Sequence, residues 1–239
     1  MARNLGGTTA DKISIANASP INITGTAFSL SAWLKKADTG TRRYVCGKSG
    51  ASASPYAYGL RVDASNQIVG LIDDGTAVYE NAASTTSVAA NTWYHVLMVK
   101  NGTGAGALKL YVNGSLEGTS NSNVSLVSNS NALVFGYRDV AATSEIWSGD
   151  LAEAAIWNAA LDATDASNLA AGKSAFFVKP SNLAFYAPFL GVDSPERDVI
   201  NGNNGTLTGT SQATHPTIVY PPLPRVAAVP VPFPYHMEV

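Results

Sequence analysis

Charge is scarce in this 239-residue chain. Lysine, arginine, aspartate and glutamate together make up 13 %, and 15 basic against 17 acidic residues leave a formal net charge of -2. With a pI near 5.9 there is no basic field to gather phosphates, which argues against nucleic acid as a partner. Cysteine is almost absent. Cys46 alone rules out an intrachain disulfide and an all-cysteine metal site, and beside Gly47 it reads as a small buried hydrophobe. No apolar run is long enough to cross a bilayer, and the opening MARNLGGTTADKISI lacks the apolar core of a secretion signal. The expectation is a protein made in a cytoplasm and not inserted in a membrane. The Asn-x-Ser/Thr triplets at Asn17, Asn22, Asn101, Asn113, Asn123 and Asn204 then report composition rather than glycosylation. A nucleophile elbow of the Gly-x-Ser-x-Gly kind is missing as well.

What is present in quantity is Ser, Thr, Asn, Gly and Ala, the composition of sheets whose outer faces carry small uncharged groups. The clearest pattern is WYHVLMVKNGTGAGALKLYVNGSLEG, residues 93–118. Trp93, His95, Leu97 and Val99 alternate with Tyr94, Val96 and Met98, so the first strand is apolar on both sides and must be covered on both. His95 on such a face reads as a core histidine. In the second strand Leu108, Leu110 and Val112 share a face, and Asn113-Gly114 supplies a two-residue hairpin turn.

Before this hairpin the pattern predicts strands at Ile13–Ile15, Phe28–Leu34, Tyr44–Lys48, Tyr58–Val62, Gln67–Ile72 and Ala77–Glu80, with a small-residue loop over 49–54. Phe28, Leu30, Ala32 and Leu34 form one face of their strand, while Ser29, Ser31 and Trp33 form a polar one. After the hairpin, strands are expected at Val124–Val127, Leu133–Gly136, Asp150–Trp157 and Leu183–Leu190, with Pro188 marking an edge or bulge. Asp162 with Asp165 three residues on predicts a capped helix over 163–171, stopping at Gly172. Residues 198–209 pack Asn/Gly turns around one short strand. From Pro216 onward seven prolines alternate with apolar residues, which excludes helix and argues against an inner strand.

In order, FSLSAWLK (28–35), NTWYHVLMVKNG (91–102), LKLYVNGSLEG (108–118) and GDLAEAAIWNAALDATD (149–165) resemble the motifs of laminin-G-like jelly rolls in the concanavalin A-like lectin and glucanase superfamily. LAFYAPFLGVDSPERDVINGNNGTLTG (183–209) resembles the strand and turn that accompany such domains. The resemblance implies an all-β fold over residues 1–215: a two-sheet antiparallel jelly-roll sandwich with one short helix, followed by an extended Pro-rich C-terminal tail over 216–239.

Glycosidases of that superfamily set carboxylates in a Glu-x-Asp-x-x-Glu string, which is absent here. The nearest pair, Asp150 and Glu153, would fall on opposite faces of a regular strand, so no enzyme is expected. Related domains bind calcium through loop oxygens, for which Asp73, Asp74, Asp139 and Asp150 are available; they read as ordinary turn aspartates, and no cofactor is predicted. Sugar binding asks for exposed aromatic faces, and the candidates are Tyr56, Tyr137 and Trp147, with Tyr58 and Tyr79 beside them. His215 and His236 stand too far apart to suggest a metal pair.

The first expectation for function is a non-catalytic structural or attachment module on a bacteriophage virion surface, as capsid decoration or fibre. It would dock on other capsid subunits or on its own copies through Leu223, Val229, Phe233 and Tyr235 of the apolar tail, the other reading being a tail that wraps its own sandwich. The alternative is a glycan-binding adhesin domain, and a glycoside hydrolase comes third.

Overall fold

The computed structural model describes residues 1–48, 57–74, 79–137 and 145–222. In chain order its strands are β1 (Ala2–Gly6), β2 (Lys12–Ile15), β3 (Ala27–Lys36), β4 (Arg43–Lys48), β5 (Tyr58–Val62), β6 (Gln67–Asp73), β7 (Tyr79–Ser87) and β8 (Trp93–Asn101). They continue as β9 (Gly104–Val112), β10 (Ser115–Ser122), β11 (Leu133–Phe135), β12 (Ser148–Trp157), β13 (Leu183–Ala187), β14 (Gly205–Thr208) and β15 (Thr210–Ala213), with one helix, α1 (Ala163–Ala170), before β13. Two sheets result. The eight-stranded one runs β10-β9-β8-β3-β12-β1-β15 with β13 also on β12, and the seven-stranded one runs β14-β2-β11-β4-β5-β6-β7. Every named ladder is antiparallel, which makes the molecule an all-β sandwich.

Alternation sorts β8 and β9 as their sequence requires. Val96, Met98, Leu108, Leu110 and Val112 enter the core between the sheets, while Leu97, Val99 and Tyr111 join a second apolar cluster on the far side. Each such buried aliphatic side chain contributes about 1.5–3 kcal/mol relative to exposure. The hairpin between β9 and β10 turns on Asn113 and Gly114, both with positive φ (48° and 83°).

The second cluster also corrects the expectation for β3. Its polar face is not wet: Ser29 and Ser31 are buried, because α1 and the residues after it lie over the outer face of the eight-stranded sheet. The helix starts as expected. Asp162 accepts from the backbone of Thr164 and Asp165, and the Asp165 carboxylate accepts from the backbone of Asp162.

Several elements differ from the pattern reading. The chain already forms a strand at Ala2–Gly6, pairing β12 and β15, although its sequence alternates poorly. β7 extends to Ser87 through the polar run NAASTTS, tolerated because it is the last strand of its sheet. Val124–Val127 forms no ladder and makes a single bridge, Gly25 to Leu126. The loop at 49–54 lies outside the described residues.

One irregularity has large consequences. Glu153 is an extra residue in β12, with φ 54°, and the register against β3 shifts between Ala152 and Ala155. On one side of β12, β1 pairs the first half and β13 the second, so the bulge falls where the two neighbours exchange. β13 ends at Ala187, before Pro188, whose carbonyl accepts the Glu153 N–H at 3.2 Å.

The root of the tail lies on its own sandwich. Val219 donates to the Gly172 carbonyl and accepts from Ser174 N–H, a short parallel bridge beside the end of α1. Gly172 has φ 86°, and a Cβ there would sit 2.5 Å from the Thr217 carbonyl oxygen, so only glycine allows this approach.

Candidate functional site

Where the turn before β3 meets the start of β13, the surface opens into a cleft of about 480 Å³, within the ~300–1,000 Å³ common for ligand pockets. Four asparagines line it, Asn22, Asn158, Asn182 and Asn201, with the hydroxyls of Ser19, Thr24 and Ser181. Pro20, Ile23, Leu183 and Ala184 supply apolar patches, and no charged side chain contributes.

The fold sets two of these amides in known orientations. Asn22 follows a short 3-10 turn, Ser19–Ile21, and its Oδ1 accepts the Asn129 backbone N–H at 3.0 Å. A backbone N–H can only donate, so the Asn22 oxygen faces the protein and its NH2 remains to donate elsewhere. Asn201 is the converse. Its Nδ2 donates to the Ala184 carbonyl at 2.8 Å, leaving its oxygen as an acceptor. Donor and acceptor on one uncharged wall suit hydroxyl groups, which need both.

A second opening of about 540 Å³, lined by Asp193, Arg197 and Asp198 among others, is chemically spent. The buried Asp198 carboxylate accepts from the backbones of Tyr186, Ile200, Asn201 and Asn203 and from Asn203 Nδ2. Asp193 and Arg197 face each other at 3.6 Å.

The aromatic candidates fare otherwise. Trp147 is wholly buried in the core between the sheets, so it has no face to offer a sugar. Tyr58 is equally buried, its ring 4.7 Å from that of Phe28 and its hydroxyl bonded to the Ile21 carbonyl at 2.6 Å. Tyr137 is buried too, with Lys12 Nζ 5.7 Å from its ring centroid. Tyr56 and Asp139 lie outside the described residues, as do Leu223, Val229, Phe233, Tyr235 and His236, and the Tyr79 side chain is not described. Sequence reasoning missed the asparagine wall because those amides come from four separate segments. Its only sequence trace was an Asn-rich composition.

The bulge in β12 overturns the expected separation of Asp150 and Glu153. The extra residue puts both on the outer face of the sheet, yet they do not form an acid and base pair. Asp150 accepts from Asn4 Nδ2 at 2.6 Å and pairs with Lys35 at 2.5 Å. Glu153, 6 % exposed, accepts Tyr186 Oη and Tyr220 Oη at 2.5 Å each and meets His215 Nε2 at 3.2 Å. Burial and the Glu153 carboxylate both raise the tyrosine pKa values; for His215 burial lowers the pKa, but Glu153 together with the Pro216 and Pro188 carbonyls raises it overall. Both His215 nitrogens face oxygen, Nδ1 the Pro216 carbonyl and Nε2 the Pro188 carbonyl and Glu153, an arrangement that fits the imidazolium.

Beside this cluster, Ser31 Oγ lies 2.9 Å from His95 Nε2, while His95 Nδ1 has no protein partner. Burial pushes the His95 pKa down to about 3, so the ring is neutral. With Ser31 2 % and His95 1 % exposed, substrate has no path to this pair. Among the described residues no cluster of three or more His, Cys, Asp or Glu could hold a metal, and no helix is long and apolar enough to cross a membrane.

The family model described as concanavalin A-like lectin/glucanases superfamily, of laminin G type, matches residues 6–167. The chain belongs to this superfamily. Among solved structures, this lectin-like sandwich is similar to a carbohydrate-binding candidate from Bacteroides ovatus, with TM-score 0.62 and 19 % identity over 87 % of this chain and 60 % of that one. It is also similar to domain 4 of the extracellular arabinanase AbnA from Geobacillus stearothermophilus, solved with arabinotriose, at TM-score 0.51 and 17 % identity over 71 % and 76 % of the two chains. The binding domain of Paraclostridial Mosquitocidal Protein 1 aligns with TM-score 0.54 and 14 % identity over 70 % of this chain and 42 % of that one. The chain thus spans less than two thirds of the Bacteroides and Paraclostridial proteins. No curated protein matches.

Proposed function

We propose that this chain is a non-catalytic glycan-binding module, and that the asparagine-lined cleft receives the hydroxyls of an uncharged sugar. The observation that carries the reading is the opposed orientation of Asn22 and Asn201, one offering N–H and the other oxygen in a cleft without charge. Sugar hydroxyls donate and accept at once, so such a wall binds them without the desolvation cost of a buried ion. The family and the carbohydrate-binding Bacteroides candidate support the reading. The test is an array of neutral oligosaccharides probed with the full chain, followed by Asn22→Ala and Asn201→Ala. Saturable binding weakened by both changes is expected, and a blank array, or binding indifferent to both, sinks the assignment.

A second reading concerns where the module works. The bond from Val219 to Gly172 and that from Tyr220 to Glu153 anchor the root of an apolar, Pro-rich sequence at a defined point of the sandwich. Beyond that root the apolar sequence is read as a tail that docks on another subunit, as on a virion surface. Light scattering on the full chain and on a chain ending at Pro222 tests it. Self-association or capsid-subunit binding lost on truncation supports it, and identical behaviour of the two chains with every capsid subunit refutes it.

A further inference from the structure

Behind the cleft, three oxygens converge on one buried amine. Lys48, the last residue of β4, is wholly buried. Its Nζ donates to the Asn129 carbonyl at 2.8 Å, to Asn129 Oδ1 at 2.7 Å and to the Asn131 carbonyl at 2.8 Å. An ammonium has three N–H bonds and no lone pair, so donors and acceptors match completely. The segment it gathers has no ladder between the Leu126 bridge and β11. Asn129 Oδ1 also accepts the Asn131 N–H at 3.1 Å, and the Asn129 N–H is the donor that orients Asn22 in the cleft. A continuous run of contacts therefore links the ammonium to the sugar-facing amide.

We propose that Lys48 is a positioning residue for the cleft: its ammonium holds residues 129–131 in the shape that orients the Asn22 amide, and loss of its proton slackens the site. The proposal rests on the glycan-binding reading for its functional consequence, though not for its structural one. A neutral amine has two N–H bonds and one lone pair, so one of the three oxygens would face a lone pair instead of a donor. Burial without a compensating charge brings the Lys48 pKa down to about 8, which makes the change reachable in ordinary buffers.

Among the described residues, few other groups could titrate in its place. Tyr58, paired with Lys48 across β5, is held neutral because burial raises its pKa, and burial pushes the Cys46 thiol up to about 12. β11, on the other side, is Leu133-Val134-Phe135 and carries no titratable side chain, and neither do residues 19–24 or 127–132. The linkage sign separates the local effect from unfolding. The folded pKa lies below the unfolded value of about 10.4, so between the two the unfolded chain binds more protons and the Lys48 contribution to stability rises with pH. Slackening of the cleft in that range is therefore not the onset of denaturation.

The experiment follows the Asn129 backbone amide and the Asn22 side-chain NH2 by nitrogen-15 NMR on the full chain from about pH 6 to about pH 10, with urea unfolding at each pH. The expected result is a shared shift with a midpoint near 8, no matching fall in stability, and its disappearance in Lys48→Met. Should that variant not fold, the wild-type titration alone decides. Resonances that stay flat, or that move only together with the whole spectrum, overturn the proposal. A neutral oligosaccharide that binds through Asn22 should lose affinity with the same midpoint, and affinity constant across it overturns the link to binding. If no sugar binds at any pH the cleft reading fails, and the resonances still decide the role of Lys48.

Discussion

The asparagine cleft and the Glu153 cluster are both built from polar side chains, and they use them in opposite ways. Around Glu153 every strong group has a partner inside the chain: two tyrosine hydroxyls and an imidazole converge on one carboxylate that is 6 % exposed. In the cleft, two amides spend one half on the backbone and leave the other half open. Such a difference separates a polar group that stabilises a fold from one that can serve a ligand. Buried polar atoms left unmatched are costly, so they are satisfied internally; only groups that keep water as the alternative can wait for a partner.

The sharpest way to break this contrast is Glu153→Ala. It strands two hydroxyls and an imidazole at a buried site, and a loss of about 3 kcal/mol in urea unfolding is expected. A loss below about 1 kcal/mol would mean that water replaces the carboxylate and that the cluster is not structural. Asp162→Ala removes both side-chain bonds that start α1, and about 1 kcal/mol of stability should go with them, without any change in sugar binding. Asn201→Ala should change stability by less than about 1 kcal/mol while weakening sugar binding about three- to tenfold, the worth of a neutral hydrogen bond. The reverse pattern would exchange the roles of the two regions.

The smallest effect expected is the pH slope from His215. Glu153 raises the folded pKa of His215, so the stabilisation from that pair is fully present below about 6.5 and lost as pH rises through the folded value. Hydrogen exchange at Val219 should therefore quicken as pH rises through that value, after correction for the intrinsic pH dependence of exchange. In His215→Gln the excess should vanish. His95 works the other way. Its folded pKa is depressed to about 3, so the unfolded chain binds the extra proton between about 3 and about 6.5 and stability falls as pH drops through that window.

Much of the sandwich was legible from local pattern. Period-two alternation in 93–99 placed apolar groups on both faces, and both faces are covered. Asn113-Gly114 and the Asp162/Asp165 box marked a turn and a helix start through chemistry confined to a few residues. β1 was not legible, because Ala2–Gly6 takes its strand conformation from neighbours roughly 145 and 210 positions away. The aromatic candidates misled for a related reason: an aromatic residue in the sequence does not show whether distant segments will cover it, as they cover Trp147 and Tyr58.

The sequence by itself determined the alternation, the turns, the helix cap and the scarcity of charge, all of which depend on residues close in the chain. Tertiary structure decided the rest. A one-residue bulge moved Glu153 to the face of Asp150, and the meeting of residues 22, 158, 182 and 201 made the cleft. The first depends on register between distant strands, because side chains alternate with a period of two and a single extra residue reverses the face of everything beyond it; the second depends on four segments outside the strands meeting in space.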